Sequence, residues 1–520
     1  WWGNTEAASI TMPTTNNTHA MYLLLFIGCK INKIARIIKD FPKISYTLAP
    51  RIYINHYNMK KNIIWGMMST CLAILLSGCS SNKQAATPWE KMETVEANIQ
   101  LTNFPDKNFL VTDYGATADA DISEALTKAI ADCHAQGGGK VIVPEGTYYT
   151  KAIHLLSNVN LHISKGATLK FSTDPKDYIA QVPTRWEGQD CIGCSPLIYA
   201  YQQTNIAVTG EGILDGQASW ENWWKLRART SKENKKKGIF MGKEKLQYCE
   251  ANQVPMEERI FTVEDELRPQ FIQVYQCDRV LIEGLTFHNA PFWILHPLLS
   301  KNIVVRGNTF DSHGPNNDGC DPESCENVLI EKCVFNTGDD CIAIKSGKNN
   351  DGRRWNIPSQ NIIVRNCVMK DGHAAVAIGS EISGSCYNVW MEDCTVGSPE
   401  MDRPFRIKSN AQRGGTVKGF YIRNINISEC KESVLKLELY YNRIKEGPFF
   451  PRFEDIHMEN ITCQKSRYGI WVEGYEDRIC VSGITMKNCT FDGIKEPALN
   501  SIVGAEGISY ENCFFNGQAF

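Results

Sequence analysis

Four short stretches carry side chains able to move protons and to hold an anion. Asn316-Asn317-Asp318-Gly319-Cys320-Asp321 comes first, followed by Gly338-Asp339-Asp340-Cys341, Gly372-His373-Ala374 and Arg406-Ile407-Lys408. Hydrolysis of a linkage between sugars needs one acid to protonate the departing oxygen and one base to activate water. Clustered aspartates can divide that work, because crowding raises one carboxyl's pKa and keeps it protonated. For inversion of configuration the carboxyls are expected about 6.5–9.5 Å apart, leaving room for the water. Arg406 and Lys408 are two residues apart, so a strand would send both to one face. There they can hold a carboxylate, Arg through two hydrogen bonds and Lys as a point charge, which favours an acidic sugar. Asp339 and Asp340 would point to opposite faces of a regular strand. For both to act they must sit in a turn or bulge, which Gly338 permits.

These stretches can cooperate only if a repeat brings them into register. One pattern returns along the chain: a polar residue, alternating apolar positions, then Asn or Asp with Cys or a small residue, then a large apolar side chain. Its copies begin at Asn205, Arg279, Asn302, Asn327, Asn361, Asn388, Gly419, Asp455, Gly483 and Gly507. From Arg279 the intervals are 23, 25, 34, 27, 31, 36, 28 and 24 residues. The short ones match one coil of a three-sheeted parallel β-helix, and the long ones leave room for loops on one face. Coils stack about 4.8 Å apart, which gathers the four polar stretches into one patch. Aspartates stacked without a task would repel one another.

An Asn at a fixed place in each coil is expected to form a structural ladder. Cys333, Cys367, Cys394, Cys489 and Cys513 recur at one position and read as small buried hydrophobes. After Phe109–Gly115, an amphipathic segment from Asp121 to His134 is expected to cap the open end of the solenoid. The largest interruption, about 217–268, carries Trp220, Trp223, Trp224 and Lys235-Lys236-Lys237. Its indoles would either stack on sugar rings or pin the loop to the wall.

The order Asn-x-Asp-Gly, Gly-Asp-Asp, Gly-His, Arg-Ile-Lys resembles glycoside hydrolase family 28, the polygalacturonases and rhamnogalacturonan hydrolases, over roughly residues 108–520. The resemblance implies a right-handed, pectin-lyase-like parallel β-helix and hydrolysis of α-galacturonosidic linkages in pectin, with inversion. It implies Asp339 as general acid, Asp318 and Asp340 as the bases, and His373 as support for the acid. Arg406, Lys408 and Tyr441 would bind substrate. Asn317 stands where the family usually has Thr, and Ala374 where it usually has Gly, which bears on the placement of His373. Leu267-Arg268-Pro269, Pro291–Pro297, Ile344–Gly347, Asp351–Arg354 and Gly379-Ser380-Glu381 resemble the exo-acting bacterial branch, which closes one end of the groove and releases a terminal sugar. On that pattern Lys345, Arg353 and Arg354 would meet the terminal carboxylate. Three other readings stand beside this one: a rhamnogalacturonan-backbone hydrolase, a Ca²⁺-dependent pectate lyase, and a non-catalytic β-helix glycan-binding lipoprotein.

The 520 residues are 43% hydrophobic and 22% charged with a net charge of −3, an ordinary globular balance with no global attraction to nucleic acid. Among 20 cysteines the one tight pair, Cys191-Ile192-Gly193-Cys194, lacks a second pair or histidines at zinc spacing. It reads as a surface disulfide or two buried thiols. No cofactor, metal or nucleic-acid partner is expected, and the working unit is expected to be a monomer.

From Met59, two lysines precede an apolar run that ends at Leu76-Ser77-Gly78-Cys79. This is a secretory pattern and resembles a bacterial lipoprotein box with lipid on Cys79. Residues 1–58 are expected to lie upstream of the true start, 59–78 to be the signal, 79–105 a tether and 106–520 the catalytic domain. No acidic run follows Cys79, so an outer-membrane lipoprotein facing the periplasm is expected, rather than one on the cell surface.

Overall fold

The computed structural model describes residues 86–520 apart from 227, 497–500 and 520. The signal segment and Cys79 lie outside these residues. The chain winds as a right-handed parallel β-helix. One coil runs through Glu326–Glu331, Val334–Thr337 and Ile342–Ile344, and the next through Ser359–Arg365, Val368–Asp371 and Val376–Gly379. Parallel pairing keeps like residues above one another: Val305, Ile330, Val364, Met391 and Ile422 form one inward column. Phe287, Phe310 and Phe335 form another, their rings stacked 5.2 and 4.7 Å apart. The five recurrent cysteines are all buried and free.

All ten residues at which the repeat begins have positive φ, between 55° and 80°. Each coil bends there through the left-handed region, which Asn, Asp and Gly tolerate best. The Asn side chains then bond between coils, Asn388 to Asn361 and Asn361 to Asn327, each at 3.1 Å. A second ladder joins Asn512, Asn488 and Asn460 at 2.8 and 3.2 Å.

The helix Ser123–Ala135 covers the first coil with Ala125, Leu126, Ala129, Ile130 and Cys133, spaced three and four apart. The expected tether is partly a docked element instead. Thr87 caps a helix over Pro88–Asn98, which lays Met92 against Trp390 and Ile363. Trp390 Nε1 donates to the Pro88 carbonyl at 2.9 Å, and Arg365 grips the Glu96 carboxylate with two nitrogens. The apolar positions Trp89, Met92, Val95 and Ile99 give this otherwise polar segment one buried face.

Two excursions rise beside the coils. Gln181–Trp186 and Gln189–Cys194 pair as an antiparallel hairpin, and the 217–268 insertion carries the helix Gly242–Ala251. Cys191 and Cys194 are both free thiols in one strand, three residues apart and so on opposite faces.

Candidate active site

The sheet built from Ile342–Ile344, Val376–Gly379, Phe405–Lys408, Ser433–Glu438 and Tyr468–Glu473 forms the floor of the cleft. Bridges from Cys320 to Ile342 and from Glu323 to Lys345 add the coil bearing Asp318 and Asp321. Outward from this floor, Ala377 lies beside Arg406, and Gly379 beside Lys408. Asp339 and Asp340 occupy the turn between Thr337 and Ile342. Gly338 serves this turn through lack of bulk: a Cβ would come within 2.5 Å of the Gly314 carbonyl on the preceding coil.

Asp318, Asp339 and Asp340 meet with carboxylate oxygens within 4.8 Å of one another. That is tighter than the separation expected for inversion, because adjacent coils deliver them with little lateral offset. Lys408 Nζ lies 2.8 Å from Asp340 Oδ2. Lys345 Nζ sits among Asp321 at 3.5 Å, Glu381 at 3.7 Å and Asp318 at 3.8 Å, and 4.5 Å above the Trp293 ring. His373 Nδ1 is 3.0 Å from Asp339 Oδ1. Asn317 acts as a strut, accepting from Ser312 Oγ and the Gly314 N–H and donating to the carbonyls of Ala290 and Phe292. Ala374 packs with Ala343 and Ala377 beneath the site, and His373 keeps its bond to Asp339.

Burial, reinforced by the charges of Asp321 and Asp339, pushes the Asp318 carboxyl well above its ordinary range. Burial lifts Asp321 to about 8 against the opposing pull of Lys345. Asp339 goes the other way: burial raises it, but the bond and charge of His373, with Lys408 and Lys345, leave it low. The same bond raises His373.

Residues 261–504 match the family model for glycosyl hydrolases family 28. The chain is 34% identical to the crystal structure of a hyperthermoactive exopolygalacturonase from Thermotoga maritima, with a TM-score of 0.76 over 84% of this chain and 97% of that one. The chain belongs to glycosyl hydrolases family 28. It is also 28% identical to a probable polygalacturonase of Vitis vinifera, over 72% of this chain and 73% of that protein. An exo-poly-alpha-D-galacturonosidase of Dickeya chrysanthemi is 27% identical over 68% of this chain and 62% of its own length.

The acids of this family 28 glycoside hydrolase open into a cavity of about 560 Å³, a size usual for small-ligand sites. Glu187 from the hairpin tip, Lys243, Gln247 and Glu250 from the insertion, and Asn349 from the helix Asn349–Trp355 line one side. Tyr441, Asn442 and Ile444 line the other. Arg406 lies beneath Tyr441, 5.5 Å from its ring centre, and donates to Glu438 Oε2 at 2.7 Å. Lys345 belongs to the acid cluster, as above; burial works against its charge, but Asp321, Asp318 and Glu381 outweigh burial and keep the ammonium firmly charged.

Arg353 and Arg354 depart from expectation. Neither lines the cavity. Arg353 stacks 3.8 Å from the Phe449 ring centre and donates to the carbonyls of Gln412 and Arg413. Arg354 pairs with Asp190 and Asp351. Their helix turns them away from the cleft, so they brace its walls.

Trp223 is buried and Trp224 Nε1 donates to the Ala290 carbonyl at 2.9 Å, so both pin the insertion. Trp220 is 56% exposed beside a smaller recess shared with Trp186, Glu187 and Lys243. Sequence reasoning passed over Lys348, Glu381 as a charge centre, Arg413 and Glu187. They lie on loops without repeat phase, and only folding brings them to the cavity.

Proposed function

We propose that this enzyme is an exo-acting hydrolase of pectic galacturonan that removes the terminal galacturonate with inversion. The observation that carries the reading is a cavity in which three aspartates face two excursions that close one side. The ion pairs of Glu187 with Lys243 and Lys348 hold the hairpin tip to the insertion and to the neighbouring loop. A groove stopped in this way admits a chain end more readily than a chain middle.

Asp339 is assigned the acid role, with His373 as its proton store. In the empty cleft the pair's proton rests on the imidazole. A uronate entering the cavity excludes water and adds negative charge, and both effects raise the Asp339 carboxyl so that it can take the proton to the leaving oxygen. Asp318 and Asp340 are assigned the water. Asp340, pinned by Lys408, is the carboxylate that takes the water's proton, and Asp318, whose carboxyl is pushed well above its ordinary range, orients the water by a hydrogen bond. Separation alone would suggest a covalent route, but a carboxylate tied to an ammonium at 2.8 Å is poorly free to attack. Lys345 balances the buried negative charge.

The charge on Lys408, which lines the cavity, favours a uronate backbone over a neutral one, and homogalacturonan over the alternating rhamnogalacturonan backbone; Arg406, paired with Glu438 beneath Tyr441, braces the floor instead. Export and lipid attachment at Cys79, facing the periplasm, complete the proposal on the leader pattern alone. Metabolic labelling with a fatty acid, compared between wild type and Cys79→Ala, tests it.

The deciding experiment is product analysis on oligogalacturonides, with wild type beside Asp339→Asn. Saturated monomer appearing first, as the β anomer by proton NMR, supports the reading. An α anomer would establish retention. An unsaturated product with loss of activity in chelator would establish a lyase.

A further inference from the structure

Asp339 and Asp340 are each steadied by a basic side chain, His373 and Lys408. Asp318 is not. Its Oδ1 is buried with no hydrogen-bond partner among the described residues, and its Oδ2 stands 3.8 Å from the Lys345 ammonium, beyond hydrogen-bond reach. The aim of this carboxylate therefore depends on its backbone. Downstream the coil ladder fixes it: the Ile294 N–H donates to the Asp318 carbonyl at 2.8 Å, and the Gly319 N–H to the Asp340 carbonyl at 3.0 Å. Upstream lies the turn Gly314–Asn317, where Asn316 bends through the left-handed region at φ 59°.

Two side chains clamp that turn to the preceding coil. Asn317 takes the carbonyls of Ala290 and Phe292. Arg268, at the end of the insertion and 6% exposed, takes the carbonyl between them. Its Nη1 donates to Pro291 at 2.8 Å and to Pro315 at 2.7 Å, and its Nη2 donates to Asn316 Oδ1 at 2.7 Å. One guanidinium thus joins the coil, the turn and its left-handed residue, a span that suits a planar fork better than the compact ammonium of lysine. Arg268 is itself held: its carbonyl accepts from Trp186 Nε1 at 3.1 Å, and its guanidinium lies 4.9 Å from the centre of the Phe292 ring. It does not line the cavity.

We propose that Arg268 is a positioning residue for the hydrolysis, holding the turn from which Asp318 orients the attacking water. The inference rests on the role given to Asp318 above. It makes the root of the wall part of the acid's support, while the wall's tip at Glu187 and Lys243 takes no part in the clamp.

The test is a double-mutant cycle on the full chain, with kcat read from reducing ends released from trigalacturonate. Arg268→Ala should lower kcat about 10–100-fold with KM within about 3-fold, the pattern of a displaced catalytic group. Asp318→Asn should cost about 100-fold or more. Adding Arg268→Ala to it should cost less than about 3-fold further, because the clamp then has nothing left to aim. Guanidinium at a non-denaturing concentration should restore kcat to Arg268→Ala by refilling the vacated site, and leave Asp318→Asn unmoved. An arginine that only braces the fold would give equal losses in both backgrounds, and that additivity, or a rise in KM with kcat unmoved, overturns the proposal. If Arg268→Ala does not fold, Asn316→Gly carries the same cycle, since glycine accepts the 59° φ and removes only an acceptor of the clamp. An Asp318→Asn enzyme as fast as wild type sinks the role of Asp318 and the clamp with it, whereas a slow one with additive losses sinks the clamp alone.

Discussion

Single residues in the cleft are balanced charge against charge, which makes their substitution effects directional. Asp339→Asn keeps the shape of the turn but cannot donate the proton, so kcat should fall about 10²–10⁴-fold. Steady-state kinetics beside an unchanged melting temperature would check this. Asp321 answers a different question, because it is fully buried and neither oxygen has a hydrogen-bond partner among the described residues, the Lys345 ammonium standing 3.5 Å away. Its folded carboxyl titrates at about 8, against 3.8 ordinarily. Between those values the folded state keeps a proton that the unfolded state releases, so this group's contribution to stability falls as pH rises through that window. Asp321→Asn removes the dependence. The variant should gain in Tm relative to wild type on going from pH 5 to pH 8, and a constant difference would refute the assignment.

Secondary elements decide which part of the floor a substrate can reach. The catalytic groups ride on turns of the solenoid, whereas the wall is made of insertions that the solenoid does not need for its own pairing. The wall should therefore be separable from the chemistry. The double variant Glu187→Ala, Lys243→Ala removes the ion pair between hairpin and insertion. It should convert monomer-only early products from a long oligogalacturonide into a mixture that includes dimers and trimers. Chromatography of the first few per cent of reaction reads this out. Cleavage of the shortest substrate should slow by less than about 10-fold, since the acids are untouched.

Across the whole molecule, stability comes from coil-on-coil stacking, with the Ser123–Ala135 helix over one end and the Pro88–Asn98 helix along the side. The latter is held by few buried groups, so it should detach by itself before the solenoid melts. Met92→Ala removes its most buried side chain, and a loss of about 2 kcal/mol of docking is expected. Faster proteolysis within residues 86–105, with the main melting transition little changed, would show it. A large drop in the main transition would instead make the helix part of the cooperative core.

Much of the fold and of the site is legible in the sequence, and the reasons lie in particular residues. Asn327, Asn361 and Asn388 mark coil bends because few other side chains accept the left-handed backbone, so their spacing revealed the repeat and its direction. Asp318, Asp339, Asp340, His373 and Lys408 inherited that phase and could be gathered from their place in it. Lys348, Glu381 and Arg413 follow no period. Their nearness to Asp340 is set by how loops fold over the groove, which local pattern does not encode. Arg353 and Arg354 were misplaced for the same reason: a basic pair on a loop resembles a ligand until the turn of its helix is known. Met92 and Trp390, 298 positions apart, show the same limit for the supposed tether. Backbone preference and coil period are local and can be read along the chain. The closed side of the cavity, the 4.8 Å crowding of the acids and the protonation that follows from it depend on burial and distance in three dimensions, and these exist only once the coils have stacked.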